Sequence, residues 1–364
     1  MTPMGVGVIG AGNISDAYLT NLTAFPDLEV RWIADLLPDR ARDQAARYRV
    51  PRWGDPDALL ADPRTELVVN LTVPAGHAAV GQAAVSAGKH VWQEKPLALN
   101  PADGRRLLDA AAERGVRVAC APDTLLGAGL QTARRAVAAG RIGRPMTALA
   151  IAQYPGPDVW HPNPEFLFQD GAGPLFDIGP YYLTTLVELF GPVRRVTAAG
   201  GRARERRVIG AGPRAGTEFD VTVPTTVTAL VEFRSGGSAQ LLLSFDSGLS
   251  RSGLMEVTGT AGTAVLPDPN RFDGVTVIHP LRGESVTLEP VGHTATRGTG
   301  VVDLARAIRS GEPERAGGEL AWHILAVMTA IIDSIDNGEP VEPAGTATIP
   351  PPLPPDWDPF VAAR

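Results

Sequence analysis

Short apolar runs alternate with longer amphipathic stretches over the first third of the chain. Gly5-Val6-Gly7-Val8-Ile9-Gly10 reads as a strand and Asp16 to Phe25 as a helix. Leu28 to Ala34 is the next strand, Pro38 to Tyr48 a helix, and Asp57 to Leu60 a short helix. The strand Leu67 to Leu71, the helix Ala78 to Ala87, the strand Lys89 to Gln93, the helix Pro101 to Arg114 and the strand Val116 to Cys120 complete the series. Strands alternating with helices predict a doubly wound parallel sheet. After a helical stretch from Gly129 to Ala139 the texture changes. Strand-like runs at Thr147–Ala152, Val193–Ala198, Thr225–Phe233, Ser238–Phe245, Leu254–Thr258, Thr263–Leu266 and Val275–His279 are divided by Gly, Pro and Asn/Asp turns. Val227 to Phe233 and Ser238 to Leu243, joined across Ser235-Gly236-Gly237, predict an antiparallel hairpin. The expectation is an α/β chain of two domains, residues 1–122 and 123–364, the second carrying a large, open, mostly antiparallel sheet. Late helices, Val301–Arg309 and Glu319–Asn337, are expected to pack against one of the two. The proline-dense tail from Ile349 to Pro359 excludes regular structure and is either an extended arm or loose.

Length supports the division, because 364 residues exceed one ordinary core. With 44% hydrophobic and 20% charged residues the composition is globular. A formal charge of −7 without a basic block argues against nucleic-acid and anionic-membrane partners. A single cysteine, Cys120, excludes a disulfide framework and a cysteine metal cluster. No three-ligand constellation shows at a readable spacing, so no metal is expected. The first strand starts within a few residues of Met1 and no apolar run reads as long enough to cross a bilayer. A cytoplasmic enzyme is the expectation.

Two stretches point to a dinucleotide. Gly10-Ala11-Gly12-Asn13-Ile14-Ser15 joins the first strand to the first helix. Gly10 allows the tight turn, Gly12 lets backbone approach a pyrophosphate, and the helix start at Asn13 and Ile14 offers free N–H groups. Asp35 ends the second strand, 25 positions after Gly10, where a carboxylate bonds adenosine ribose hydroxyls and repels a 2′-phosphate. NAD is therefore favoured over NADP. Arg40 is placed to stack on adenine or pair with a phosphate, or else is a helix-surface arginine. Thr72, Pro74 and His77 form a turn facing the cofactor; His77 either touches ribose or caps its own helix. His90, inside a strand, reads as structural.

The centre of the chemistry is Gln93-Glu94-Lys95-Pro96. It follows the apolar run His90-Val91-Trp92, and ligands bind outside the carboxyl ends of strands in open α/β sheets. Lys95 leaves the strand there and Pro96 fixes its exit. In the second domain, Gly171-Ala172-Gly173-Pro174-Leu175-Phe176-Asp177-Ile178-Gly179-Pro180-Tyr181-Tyr182 opens the helix Leu183–Phe190. Asp177 and Tyr181, four apart, would share a helical face and suit proton transfer with a hydroxyl; alternatively Asp177 caps the helix and Tyr181 packs. Trp160-His161-Pro162-Asn163-Pro164 offers an aromatic face and an imidazole to a sugar, or is a packed loop. His161 is the alternative proton carrier. Asp123 and Thr124 are placed to bond a substrate hydroxyl. His293 and Arg297 are weaker pocket candidates, and His323 reads as core.

With these motifs assembled, the chain resembles the glucose-fructose oxidoreductase/inositol dehydrogenase (Gfo/Idh/MocA) family over its whole length. The Gly10–Ser15 fingerprint, Glu94-Lys95-Pro96 and Asp177-x-Gly-x-Tyr181 carry the resemblance. It implies a Rossmann domain followed by an α/β domain whose open sheet often makes the oligomer contact. It also implies NAD(P)-linked oxidation or reduction of sugars, inositols and related polyols, in a homodimer or homotetramer. By position, Lys95 is the family's lysine at cofactor and substrate, Glu94 beside it is expected to contact the cofactor, and Asp177 is the substrate-binding acid. Tyr181 stands where many members have a proton-transferring histidine. A phenol, with an ordinary pKa of about 10, needs a nearby cation to act as a base, and Lys95 is the expected one. Two other readings share the cofactor: an NAD-dependent glycosidase that shows no net NADH, and a sensor of dinucleotide or sugar.

Overall fold

Strand–helix alternation in the first part of the chain builds a six-stranded parallel sheet. The computed structural model describes residues 2–363. In chain order the first elements are β1 (Met4–Ile9), α1 (Asn13–Leu22), β2 (Leu28–Ala34), α2 (Pro38–Tyr48), β3 (Arg52–Gly54) and α3 (Pro56–Ala61). They continue with β4 (Leu67–Asn70), α4 (His77–Ser86), β5 (His90–Gln93), α5 (Pro101–Arg114) and β6 (Val118–Cys120). The strand order is β3-β2-β1-β4-β5-β6, with every pairing parallel. The order reverses between β1 and β4, which creates the switch-point crevice at their carboxyl ends. β3 has no counterpart in the sequence reading. It is three residues long, lies at an edge and carries no apolar run.

The remaining elements are α6 (Ala128–Ala138), β7 (Pro145–Gln153), α7 (Gly173–Asp177), α8 (Gly179–Phe190), β8 (Val193–Gly201), β9 (Arg206–Val208) and β10 (Glu218–Asp220). Then come β11 (Thr226–Phe233), β12 (Ser238–Ser244), β13 (Arg251–Gly259), β14 (Gly262–Val265), β15 (Thr276–Pro280), β16 (Val286–Leu288), α9 (Thr299–Ser310) and α10 (Gly318–Asn337). Eight of these strands form one sheet in the order β16-β15-β14-β13-β7-β12-β11-β8. Only β12 and β7 pair in parallel. The expected hairpin is present: β11 and β12 are antiparallel with Val231 opposite Ala239. Alternation fits a sheet buried on one face. Val227, Ala229, Val231, Leu241 and Leu243 are buried, while Thr228, Leu230 and Gln240 between them are exposed.

The two compact units are not the consecutive segments 1–122 and 123–364. One comprises Met1–Ala128, Val291–Leu325 and Ile349–Arg364; the other comprises Gly129–Pro290 and Ala326–Thr348. A parallel sheet needs both faces covered, and α9 supplies cover for the first. Val301, Val302, Leu304 and Ala305 join Leu19, Leu22, Leu67 and Trp92 in one core cluster. The approach is close: a Cβ on Gly300 would stand 2.0 Å from the Trp92 ring. The proline-dense tail is a fixed arm of this unit. Leu353 is buried, Trp357 packs on the same cluster, and the Phe360 ring lies 5.2 Å from that of Phe25. Arg306 donates to Asp27 (2.8 Å) and to the Asp358 and Val361 carbonyls. The expectation that no apolar run could span a bilayer is corrected by α10. It is long and apolar enough, with a mean hydropathy of 1.3 over its best window, 61% of which is buried inside the protein.

Candidate active site

The cofactor cradle is built where β1 meets α1. Gly10 has φ +107°, and a Cβ there would stand 2.7 Å from the Leu71 carbonyl carbon, so only glycine lets β1 turn beside β4. At Gly12 the opposite holds: no heavy atom lies within 4 Å of where a Cβ would be. No side chain caps α1, whose exposed first residues are Asn13 and Ile14. Open space over an uncapped helix start fits a dinucleotide pyrophosphate. Asp35 accepts from the Ala11 N–H (2.8 Å) and the Leu37 N–H (2.8 Å). Its carboxylate thus fixes the glycine turn and keeps further lone pairs for a ribose. Arg40 is exposed on α2.

Lys95 emerges from a turn held on all sides. Glu94 Oε2 accepts from the Lys95 N–H (3.0 Å), and Glu94 Oε1 accepts from the Tyr18 hydroxyl (2.7 Å). Trp92 Nε1 donates to that same hydroxyl (3.2 Å). The Gln93 amide donates to the Leu97 carbonyl, and Asn70 Nδ2 donates to Gln93 Oε1 (2.9 Å). Glu94 is only 8% exposed and both its oxygens are engaged, so it holds the lysine's backbone instead of meeting the cofactor directly. His77 is also corrected. It is buried, with Nδ1 2.6 Å from the Pro96 oxygen and Nε2 3.0 Å from the Thr72 oxygen, and so reaches neither ribose nor its own helix cap. Thr72 is half-buried, its hydroxyl donating to Asn70 Oδ1 (2.7 Å), and Pro74 is half-buried in the same turn.

Asp123 is corrected as a substrate contact. It is fully buried, and its carboxylate accepts from Arg297 (3.2 Å) and the Gly298 N–H (2.7 Å). Burial pushes its pKa up, against the pull of Arg297. It ties the start of α9 to the strand end after β6. Thr124 is just as buried, and its hydroxyl has no hydrogen-bond partner in the protein. His293 Nε2 donates to the Leu126 carbonyl (2.9 Å) and the ring packs on Trp357, a structural place. His90 and His323 are structural as expected; His90 Nδ1 accepts from the Arg117 N–H.

In the second unit the Asp177–Tyr181 motif does not lie on one helix. Asp177 ends α7, Ile178 (φ −100°, ψ −34°) is the junction, and Tyr181 lies in the first turn of α8. Asp177 caps neither helix, since Ile178 is the N-cap of α8. Tyr154, directly after β7, is a partner the sequence reading missed. Burial, with the Asp177 carboxylate next, raises its phenol well above the ordinary value. Its signal was the Gln153-Tyr154-Pro155 end of a strand. Beyond it, Trp160 is 59% exposed and stands 5.5 Å edge-on from His161, which in turn meets Phe166 at 5.6 Å. Arg207, buried, ties Asp158 and Asp246 together and so anchors this loop. His161 Nδ1 accepts from the Asn163 N–H (3.0 Å), so the neutral ring carries its proton on Nε2. That makes His161 a hydrogen-bond donor at its outer nitrogen.

The basic residues carry one further signal. Of 33 basic residues only Lys89 and Lys95 are lysines. Lys89 is buried, donates to the Asp62 carbonyl (2.9 Å) and has its pKa lowered by burial. A chain that elsewhere uses arginine keeps lysine at a strand end, where a compact, titratable ammonium differs most from a guanidinium.

The first unit is an NAD-binding Rossmann domain and the chain is an oxidoreductase of the dehydrogenase class. It belongs to the Gfo/Idh/MocA family. The description "Oxidoreductase family, NAD-binding Rossmann fold" matches residues 4–121, and "GFO/IDH/MocA C-terminal domain" matches residues 130–265. Trans-1,2-dihydrobenzene-1,2-diol dehydrogenase of Bos taurus is 27% identical over 268 residues, 72% of this chain and 74% of that protein. D-glucoside 3-dehydrogenase of Escherichia coli is 28% identical over 282 residues, 73% of this chain and 78% of that protein. Myo-inositol 2-dehydrogenase of Thermotoga maritima is 30% identical over 155 residues, 42% of this chain and 46% of that protein. Levoglucosan dehydrogenase, in complex with NADH and L-sorbose, has the same fold: TM-score 0.83 at 22% identity, covering 94% of this chain and 100% of that one.

Proposed function

We propose that this chain moves hydride between NAD and a secondary alcohol, or its ketone, on a ring that carries a neighbouring hydroxyl. Sugars and inositols are the substrate class. The reading rests on one observation: Lys95 stands at the carboxyl end of β5, on a turn fixed by Glu94, Gln93 and His77. The names of the relatives support the substrate class, because a trans-1,2-diol, an inositol and a glucoside oxidised at position 3 share a carbinol beside a second hydroxyl. Bound NAD supplies the hydride acceptor. Gly10 and Gly12 admit its pyrophosphate, and Asp35 takes the ribose hydroxyls and disfavours a 2′-phosphate. Tyr181, with Lys95, takes the hydroxyl proton as the carbon gives up hydride. Asp177 holds the adjacent hydroxyl, Thr124 bonds another, and Trp160 with His161 receives a sugar face.

The test follows NADH formation over a panel of inositols, pyranoses, methyl glucosides and sugar acids, with NAD and with NADP. We expect turnover with at least one ring polyol and a preference for NAD. Silence with NAD bound, or glycoside cleavage without net NADH, would sink the dehydrogenase reading. The chain also acts as a homodimer or homotetramer in this reading. The outer face of the eight-stranded sheet carries Leu149, Ile151, Leu230 and Leu242, none of them buried. Light scattering should show an oligomer that Leu230→Asp with Leu242→Asp converts to monomers; a monomeric wild type would refute it.

A further inference from the structure

β4 and β5 are neighbours, and each ends in a turn at the carboxyl edge of the sheet. Thr72 belongs to the first turn and Lys95-Pro96 to the second. His77, the first residue of α4, lies buried between them and faces the Pro96 and Thr72 carbonyl oxygens with its two nitrogens. A carbonyl oxygen accepts and never donates, and a neutral imidazole has a single N–H. The neutral ring therefore bonds one turn and points a lone pair at the other. Only the ring with two protons bonds both. The shorter contact, to Pro96, marks Nδ1 as the nitrogen that keeps its proton, so the Thr72 turn is the one released.

We propose that His77 is a positioning residue for Lys95, a proton-dependent bridge that joins the Thr72 turn to the Lys95-Pro96 turn when doubly protonated and lets the Thr72 turn go when neutral. This rests on the reading of Lys95 as the lysine of the reaction. Two charged groups face the ring: Glu94 favours the imidazolium and Lys95 opposes it. The uncharged Asn70 contacts its backbone, donating to the His77 carbonyl. Burial opposes the cation most strongly and moves the ionisation to the acid side of the ordinary 6.5. The bridge is thus complete only below that ionisation, on the acid side of 6.5, and half-open above it.

The scarcity of lysine makes this readable without any substrate. Protein labelled with carbon-13 at lysine Cε gives two side-chain signals, and Lys89→Arg assigns them. The Lys95 signal should move through one step below pH 6.5 while Lys89 stays still, and His77→Gln should abolish the step. With a working substrate, His77→Gln should lower kcat on the order of tenfold, as for a lost buried hydrogen bond, and change NAD affinity by less than about threefold. A still Lys95 signal overturns the proposal, as does a step that survives His77→Gln. Should His77→Gln fail to fold, nitrogen-15 spectra of the wild-type His77 ring decide. Two bonded N–H groups below the Lys95 step and one above support the bridge, and an unchanging tautomer refutes it. Absence of a substrate would count against the dehydrogenase reading and leave the Lys95 titration intact.

Discussion

Replacing Lys95 by alanine should lower turnover by about a thousandfold, and Tyr181→Phe should do nearly the same, within the range set by removing one partner of an acid–base pair. The double variant should fall little further than either single one. Groups that act as one unit lose their whole effect when either is removed. Lys95 belongs to the NAD-binding unit and Tyr181 to the other, so the cycle asks whether both serve a single proton transfer. Lys95→Arg should not rescue, because a guanidinium stays charged and spreads its donors over a plane. Initial rates with saturating NAD for the four proteins settle it. Losses that multiply would show that the phenol works without the ammonium.

The glycine turn separates two effects that are usually entangled. Gly12→Val should leave the fold alone, since nothing stands within 4 Å of its Cβ and its φ of −83° suits any residue. Its branched side chain would fill the space a pyrophosphate needs, so NAD affinity should drop by about a hundredfold or more, as for a steric block at a close backbone approach. Gly10→Ala should behave in reverse, because φ is +107° and the Leu71 carbonyl carbon is 2.7 Å away. A cost of about 1–3 kcal/mol in folding is expected from the backbone conformation alone. Thermal melts with and without NAD distinguish the pair. A Gly12→Val protein that binds NAD normally would place the cofactor elsewhere.

The main-chain pattern of the NAD-binding unit was legible because buried parallel strands leave short apolar runs and the glycine turn has a steric cause. What escaped was set by partners distant in sequence. Asp123 reads as a pocket acid until Arg297 and Gly298, some 175 residues later, take its carboxylate. Glu94 reads as a cofactor contact until Tyr18 is found beneath it. His77 offers an exposed-looking imidazole at a helix start, yet the turn after β5 folds over it. The break at Ile178 was hidden because Pro174 and Pro180 each suit a helix start, so one helical stretch held two. Tyr154 was overlooked since an aromatic after a strand usually packs, and only the nearby Asp177 gives it another role.

The return of α9 and the proline arm to the first unit sets an order of events during synthesis. Domains that are continuous in sequence can fold as they leave the ribosome, amino-terminal one first. Here the first sheet waits. Until α9 is made, the Trp92 face is bare, and until the last residues emerge, Asp27 and Phe25 lack the arm that covers them. The second unit interrupts this and needs residues only as far as Thr348. A nascent chain therefore finishes its cofactor-binding half last, and a chain released early carries an exposed apolar sheet for quality-control factors to find.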